Sequence, residues 1–309
     1  MRIIFMGTPD FSVGILEALI KAGHEVVLAV TQPDKPKGRG NSVTFPSVKQ
    51  AAMNHNIEVY QPKKIREPEC VEYVRKFHPD IIIVAAFGQI LPKEILKMPK
   101  FGCVNVHASL LPKYRGAAPI QWAVIDGESV SGVTIMRMDE GIDTGDMILK
   151  QQISLAEDET GGSLFDKLSK IGSNLCVEAL KSIENETATY TRQEDSLATH
   201  TKMIQKQFGK IDWSISAVEI ERLIRGLDPW PSAYTVLDEK TLKIWKALVL
   251  PGGDVNEAGT IIEVTKNEIK VQTGNGILCL LEIQLQGKKR MLTDAFLRGY
   301  ALESGTKFE

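Results

Sequence analysis

The run Asn105-Val-His107-Ala-Ser109-Leu110-Leu111-Pro112-Lys-Tyr-Arg115 sets an amide and an imidazole two residues apart. On a strand, residues at that spacing project to the same side. A hydrogen-bond donor then stands beside a proton carrier at the end of the apolar stretch Phe101–Val106. Such a pair can polarise a carbonyl and handle a proton in one place. A lone histidine at a strand end usually serves the structure. Asn105 on the same face and the Ser-Leu-Leu-Pro turn that follows shift the reading toward chemistry. His24, His55, His78 and His200 have no such polar neighbour and read as solvated surface residues.

Farther along, Met138–Asp146 carries Asp139, Glu140, Asp143 and Asp146 among the turn-forming Gly141 and Gly145. The plain reading is an acidic turn capped by its own aspartates. The sharper one is that an aspartate near His107 orients and charges the imidazole. The spacing misses the calcium-loop pattern and no second ligand cluster accompanies it, so no metal is expected.

Two other segments bear on ligands. Gly7-Thr-Pro-Asp-Phe11 follows the first strand without a GxGxxG fingerprint, which argues against a nicotinamide enzyme. Asp10 or Ser12 is expected to cap the helix that starts there. Gln32–Asn41 is a basic loop in which Lys35, Lys37 and Arg39 sit among Pro and Gly. Such a stretch is commonly just solvated, but Arg and Lys there also suit phosphates. In that case Lys202, Lys206 and Lys210, with Gly287-Lys288-Lys289-Arg290, extend the surface.

The elements that must position these residues follow from periodicity. Short apolar strands (Ile3–Met6, Glu25–Thr31, Ile57–Tyr60, Asp80–Ala86, Val104–His107) alternate with helical patterns (Phe11–Leu19, Pro46–Asn56, Pro68–Phe77). The unbroken Ile81-Ile-Ile-Val-Ala-Ala run is the kind buried on both faces. Gly116–Ile125 and Gly132–Met138 continue the alternation. The expected fold is α/β, with a doubly wound, mostly parallel sheet whose ligands sit beyond the carboxyl ends of strands. A long helix is expected over Gly161–Ile183, after which the chain turns polar. Residues 1–188 form the expected first domain and 189–209 a linker. Residues 210–309 form a smaller β-barrel of the oligonucleotide-binding type, from a helix at Ala217–Gly226 and five short strands.

A length of 309 residues suits two domains. Residues 1–200 carry 22 Lys+Arg against 25 Asp+Glu, and residues 201–309 carry 15 against 14. A nucleic-acid partner must therefore act through local basic patches and not through bulk charge. The four cysteines (Cys70, Cys103, Cys176, Cys279) are scattered, so reduced thiols in a cytoplasmic protein are expected. The N-terminal residues run straight into a strand-like segment, so no signal segment is expected; no apolar run reaches membrane-spanning length, and a monomer is expected.

Asn105-Val-His107-Ala-Ser-Leu-Leu-Pro112, with Tyr114-Arg-Gly-Ala-Ala-Pro-Ile120, resembles the signature of the folate-dependent formyltransferase family. Gly132-Val-Thr-Ile-Met-Arg-Met-Asp139 with Gly141-Ile-Asp-Thr-Gly-Asp146 is similar to the family's second block. Gly7–Phe11, the Pro33–Asn41 loop, Ile211-Asp-Trp213 and Asp228-Pro-Trp-Pro-Ser232 are similar to its methionyl-tRNA branch. The resemblance covers residues 1 to about 300, without departure at the matched catalytic positions. It implies transfer of a formyl group from 10-formyltetrahydrofolate to the amino group of methionine on initiator tRNA. It also implies that Asn105 holds the formyl oxygen, that His107 stabilises it or donates a proton, and that Asp143 keeps His107 charged. Phe87, Gly88, Gln89, Ile90, Leu91, Ser109, Leu110, Leu111, Pro112 and Asp139 would line the folate site. Lys35, Lys37, Arg39, Lys206, Lys210, Lys288 and Lys289 would meet tRNA. The rival readings are a sugar-nucleotide N-formyltransferase, a 10-formyltetrahydrofolate hydrolase, and a non-catalytic RNA-binding protein.

Overall fold

The computed structural model describes residues 1–37, 42–252 and 256–309. They divide into two compact units. One comprises Met1–Pro119, Val130–Ser154 and Phe165–Thr201, and the other Ile120–Ser129, Leu155–Leu164 and Lys202–Glu309.

The first unit is built on seven strands: β1 (Arg2–Gly7), β2 (Glu25–Val30), β3 (Val59–Tyr60), β4 (Ile81–Ala85), β5 (Cys103–His107), β6 (Val130–Arg137) and β7 (Met147–Ser154). Their order across the sheet is β7-β6-β5-β4-β1-β2-β3. β1 to β5 pair in parallel. β6 runs antiparallel to β5, and β7 antiparallel to β6. β4 is buried along its whole length, which its unbroken apolar run requires. β7 escaped the periodicity reading because it is an edge strand in which only Ile148 is fully buried.

Helices α1 (Asp10–Lys21), α2 (Ser47–Asn54), α3 (Pro68–Arg75) and α4 (Lys93–Leu96) cross between the parallel strands. α5 (Pro119–Ile125) precedes β6 in the chain and belongs from Ile120 on to the second unit, and α6 (Gly161–Glu184) follows β7. The cap expected of Asp10 or Ser12 is not there. Pro9 occupies that position without a side-chain bond, and Ser12 Oγ instead donates 2.6 Å to the buried carbonyl of Ala85. Ser12 thereby ties α1 to the end of β4, leaving its hydroxyl satisfied away from water.

The two faces of β5 are used differently. On one, α6 approaches so closely that a Cβ on Gly172 would stand 3.0 Å from Val106 Cγ1 and 3.7 Å from Val133 Cγ1. The other carries Cys103, packed beneath α4, then Asn105 and His107. The alternation of a strand thus separates a packing face from a polar one.

The second unit contains α7 (Ala217–Gly226), β8 (Ala233–Leu237), β9 (Lys240–Leu250), β10 (Ile261–Val264), β11 (Ile269–Gln272), β12 (Ile277–Leu285), β13 (Met291–Leu292) and α8 (Thr293–Leu297). It is an antiparallel, strand-rich sheet with pairing path β8-β9-β12-β11-β10, to which β13 adds beside β12. A capping box starts α7: Ser216 Oγ accepts from Glu219 N, and the Glu219 carboxylate accepts from Ser216 N. Ile220 and Ile224 of α7 join Trp213, Leu242, Ile244, Ile283 and Phe308 in one core. The four cysteines are buried free thiols, and burial pushes Cys103 and Cys176 up to about 12. Among the described residues no helix is long and apolar enough to cross a membrane.

Candidate active site

Asn105 and His107 stand at the end of β5, and the loop 138–146 brings Asp143 to both. The loop leaves beside the start of β5, where Met138 N donates 2.8 Å to Cys103 O. It closes where Arg137 N donates 2.9 Å to Asp146 O. Glycine is needed at 145, since a Cβ there would lie 1.7 Å from Arg137 O. Asp143 itself adopts φ +54°, a left-handed conformation that an aspartate tolerates better than most residues.

The two carboxylate oxygens of Asp143 do different things. Oδ1 accepts from Asn105 Nδ2 at 3.3 Å. Oδ2 accepts from the backbone N of Gly116 at 2.8 Å and faces His107 Nδ1 at 3.6 Å. On the other side of the ring, Nε2 lies 2.9 Å from Tyr114 O. A carbonyl only accepts, so Nε2 carries a proton and donates it there. Nδ1 is therefore the ring atom left to the Asn105–Asp143 side. His107 is buried, whereas Asn105 and Asp143 are half-buried, so the trio borders solvent instead of being sealed in the core. Asn105 donates, His107 carries protons, and Asp143 fixes both; together they can hold a developing oxyanion and move one proton.

The segment Tyr114–Gly116, which supplies backbone groups to both His107 and Asp143, is itself clasped by residues 193–201. Arg115 and Gly116 pair in parallel with His200 and Thr201. Tyr114 N donates 2.8 Å to Thr199 Oγ1. Gly116 has φ +102°, and a Cβ on it would come within 2.7 Å of Thr201 O, so no other residue fits. None of Tyr114, Arg115, Gly116, Gln193 or Thr199 stood out as functional from type and spacing alone. The sole signal was a resemblance block running on through Tyr114-Arg-Gly.

The residues expected to line a folate site divide by exposure. Phe87 and Leu91 are buried in the core beneath β4, and Gln89 locks the chain by accepting from Ile65 N and donating to Pro62 O. Gly88 and Ile90 are exposed, Ile90 at 76%. Ser109 and Leu111 are buried under the turn, which Thr134 pins by donating 2.7 Å to Ser109 O and accepting 3.1 Å from Leu111 N. Leu110 and Pro112 are half-buried. Asp139 is exposed, and its Oδ1 accepts from Gly141 N and Thr144 Oγ1, the acidic-turn cap anticipated from the sequence. Exposed Ile90 and half-buried Leu110 and Pro112 each offer apolar surface of the kind that suits a flat, partly apolar ring with polar edges.

Of the residues expected to meet tRNA, Lys206, Lys210, Lys288 and Lys289 are exposed. Arg290 is engaged within its own unit. Its Nε and Nη2 each donate 2.7 Å to Glu282, and its guanidinium stacks 4.5 Å above the Trp245 ring. Lys35 and Lys37 lie on a short strand paired with Ser42–Thr44, while Arg39 lies outside the described residues. Asp34, at the base of that hairpin, is bound by Lys49 Nζ at 2.6 Å and Gln61 Nε2 at 2.8 Å. Both bonds hold its carboxyl below the usual carboxylate range.

A family model for formyl transferases matches residues 1–180, and one for the formyl transferase C-terminal domain matches residues 203–301. The methionyl-tRNA formyltransferase of Agathobacter rectalis is 66% identical over 308 residues, covering 100% of this chain and 99% of that one. The methionyl-tRNA formyltransferase of Lachnospira eligens is 53% identical, covering 99% of this chain and 98% of its own. Among solved structures, a sugar 3N-formyl transferase crystallised with dTDP and 5-N-formyl-THF superposes with a TM-score of 0.66. It shares 21% identity, covers 94% of this chain and 99% of its own, and so speaks for the fold. With both models matched in order and full-length relatives at this identity, the chain belongs to the methionyl-tRNA formyltransferase family of formyl transferases.

Proposed function

We propose that the chain transfers the formyl group of 10-formyltetrahydrofolate to the amino group of methionine on initiator tRNA, giving N-formylmethionyl-tRNA. The observation that carries this reading is the convergence of Asn105 Nδ2 and His107 Nδ1 on the two oxygens of one carboxylate, Asp143. Family membership along the whole chain supports the acceptor, since the relatives named above are methionyl-tRNA enzymes.

The bound co-substrate supplies a formyl carbon attached to nitrogen. The residues do the rest. As the methionine amine forms its bond to that carbon, negative charge gathers on the formyl oxygen, and Asn105 Nδ2 donates to it. His107 supports the same charge from Nδ1 and is the proton carrier of the trio. Asp143 orients both, and the amine's surplus proton passes by way of this carboxylate–imidazole pair to the departing nitrogen. No covalent bond to the protein is needed. Gly88 to Leu91 and Ser109 to Pro112, with Asp139, form the walls against which the folate ring lies.

Residues 1–188 carry the transfer chemistry in this reading, with residues 193–201 clasping their Tyr114–Gly116 segment, and residues 210–309 serve the tRNA. Lys35, Lys37, Arg39, Lys206, Lys210, Lys288 and Lys289 contact its phosphates. The protein acts as a cytoplasmic monomer. Incubation with 10-formyltetrahydrofolate and charged initiator tRNA, followed by a search for formylmethionine, tests the assignment. Formate release that does not depend on tRNA would mean a hydrolase. Formylation of a sugar-nucleotide amine, with tRNA ignored, would mean the other acceptor class.

A further inference from the structure

Gln193 commits both amide hydrogens to the loop that presents Asp143. Its Nε2 donates 2.8 Å to Asp143 O and 2.7 Å to Gly145 O. Its Oε1 accepts 3.0 Å from Arg115 Nε, and Arg115 Nη2 donates 2.8 Å to Asp195. Gln193 and Arg115 are 4% and 3% exposed. Arg115 thus fixes which way the amide points, because only the oxygen end can face a guanidinium. The next residue, Gly116, holds the Asp143 carboxylate from the other side. One buried pair therefore restrains the main chain of Asp143, and the adjacent peptide restrains its side chain.

That restraint has a physical reason. A left-handed non-glycine residue is strained and persists only where its surroundings over-determine it. We propose that Gln193, oriented by Arg115, is a positioning residue for Asp143, holding it in the geometry that serves Asn105 and His107. The proposal rests on the formyl-transfer reading above. The path of the chain around Gln193 does not depend on its amide. Thr191 and Met147 exchange two 2.8 Å backbone bonds before it, and Arg115 N donates 2.9 Å to Thr199 O after it. Removing the amide should therefore loosen the Asp143 loop while the strap stays in place.

Gln193→Met, of similar length and without the polar atoms, tests this in the full chain. It should lower kcat roughly 10- to 100-fold, with KM for folate and for tRNA within about twofold of the unaltered values. In an Asp143→Ala background the same change should cost less than about twofold, because the residue being positioned is gone. Hydrogen exchange of the amides of residues 141–146 should quicken. An unchanged kcat, or an equal loss in both backgrounds, would overturn the proposal. If Gln193→Met does not fold, Gln193→Asn decides: its amide falls one bond short, so an intermediate kcat with KM retained supports the role, and an unaltered kcat overturns it. The two readings fail separately. An unaltered chain that formylates no tRNA removes the reaction, while unchanged exchange in residues 141–146 of Gln193→Met removes the positioning.

Discussion

Asp143 Oδ2 stands 3.6 Å from His107 Nδ1, whereas its direct hydrogen bond, at 2.8 Å, goes to the backbone of Gly116. The carboxylate is therefore anchored by a group that does not titrate, and it faces the imidazole across a gap that a modest movement closes. With Nε2 donating to Tyr114 O, the ring is held in one orientation whichever protonation state the reaction requires at Nδ1. The consequences of this arrangement can be tested one at a time.

Gly145→Ala should damage the site without unfolding the protein. The added methyl carbon would meet Arg137 O at 1.7 Å, so the closing turn of the loop must shift. A destabilisation of about 1–3 kcal/mol is expected, as for other overpacked sites. The rate should fall more steeply, by roughly 10²-fold, because a displacement of about 1 Å at Asp143 suffices for that. Thermal unfolding and a steady-state formylation assay on the same preparation would check both figures. An unaltered rate would show that the loop tolerates the shift.

Arg39→Ala should weaken the use of tRNA and leave folate binding alone. If Arg39 meets a phosphate, the slope of log affinity against log salt should fall by roughly 0.7 to 0.9. Titrations at several salt concentrations measure this directly. Equal losses for both ligands would mean that the loop supports the fold instead.

Glu282 should give the second unit a dependence on acid that Arg290 sets. The bidentate bonds from Arg290 hold the Glu282 carboxyl below its ordinary value of 4.5. A depressed carboxylate stabilises the fold above its unfolded pKa, and that contribution is lost as pH falls through the folded value. Stability measured from pH 7 downward should therefore drop less steeply between pH 5 and 3 in Arg290→Met than in the unaltered chain. The pair is partly exposed, so the difference should not exceed about 1 kcal/mol. Identical curves would mean that the stack of Arg290 on Trp245 is what matters.

The parallel core of the first unit was legible because strands buried on both faces leave unbroken apolar runs, as Ile81–Ala85 does. Asn105 and His107 were legible because strand alternation puts them on one side, and the structure shows α6 packed against the other. Strand β7 was not, since an edge strand with one fully buried side chain carries little hydrophobic signal. Gln193 and Arg115 were hidden for a different reason. Their partners lie 48 to 80 residues away, and a glutamine in a polar stretch resembles any solvated one until the fold buries it. The helix cap failed because Ser12 found a stronger claim in the carbonyl of Ala85.

The most direct measurement is the single-turnover rate of formyl transfer to methionyl initiator tRNA by the unaltered chain and by Asn105→Ala, His107→Ala and Asp143→Ala. With both ligands saturating, each variant should be slower by roughly 10²-fold or more, as expected for an oxyanion donor or a proton carrier. Losses of residues that act as a unit should also fail to multiply in the double variants. Full activity in His107→Ala would contradict the account.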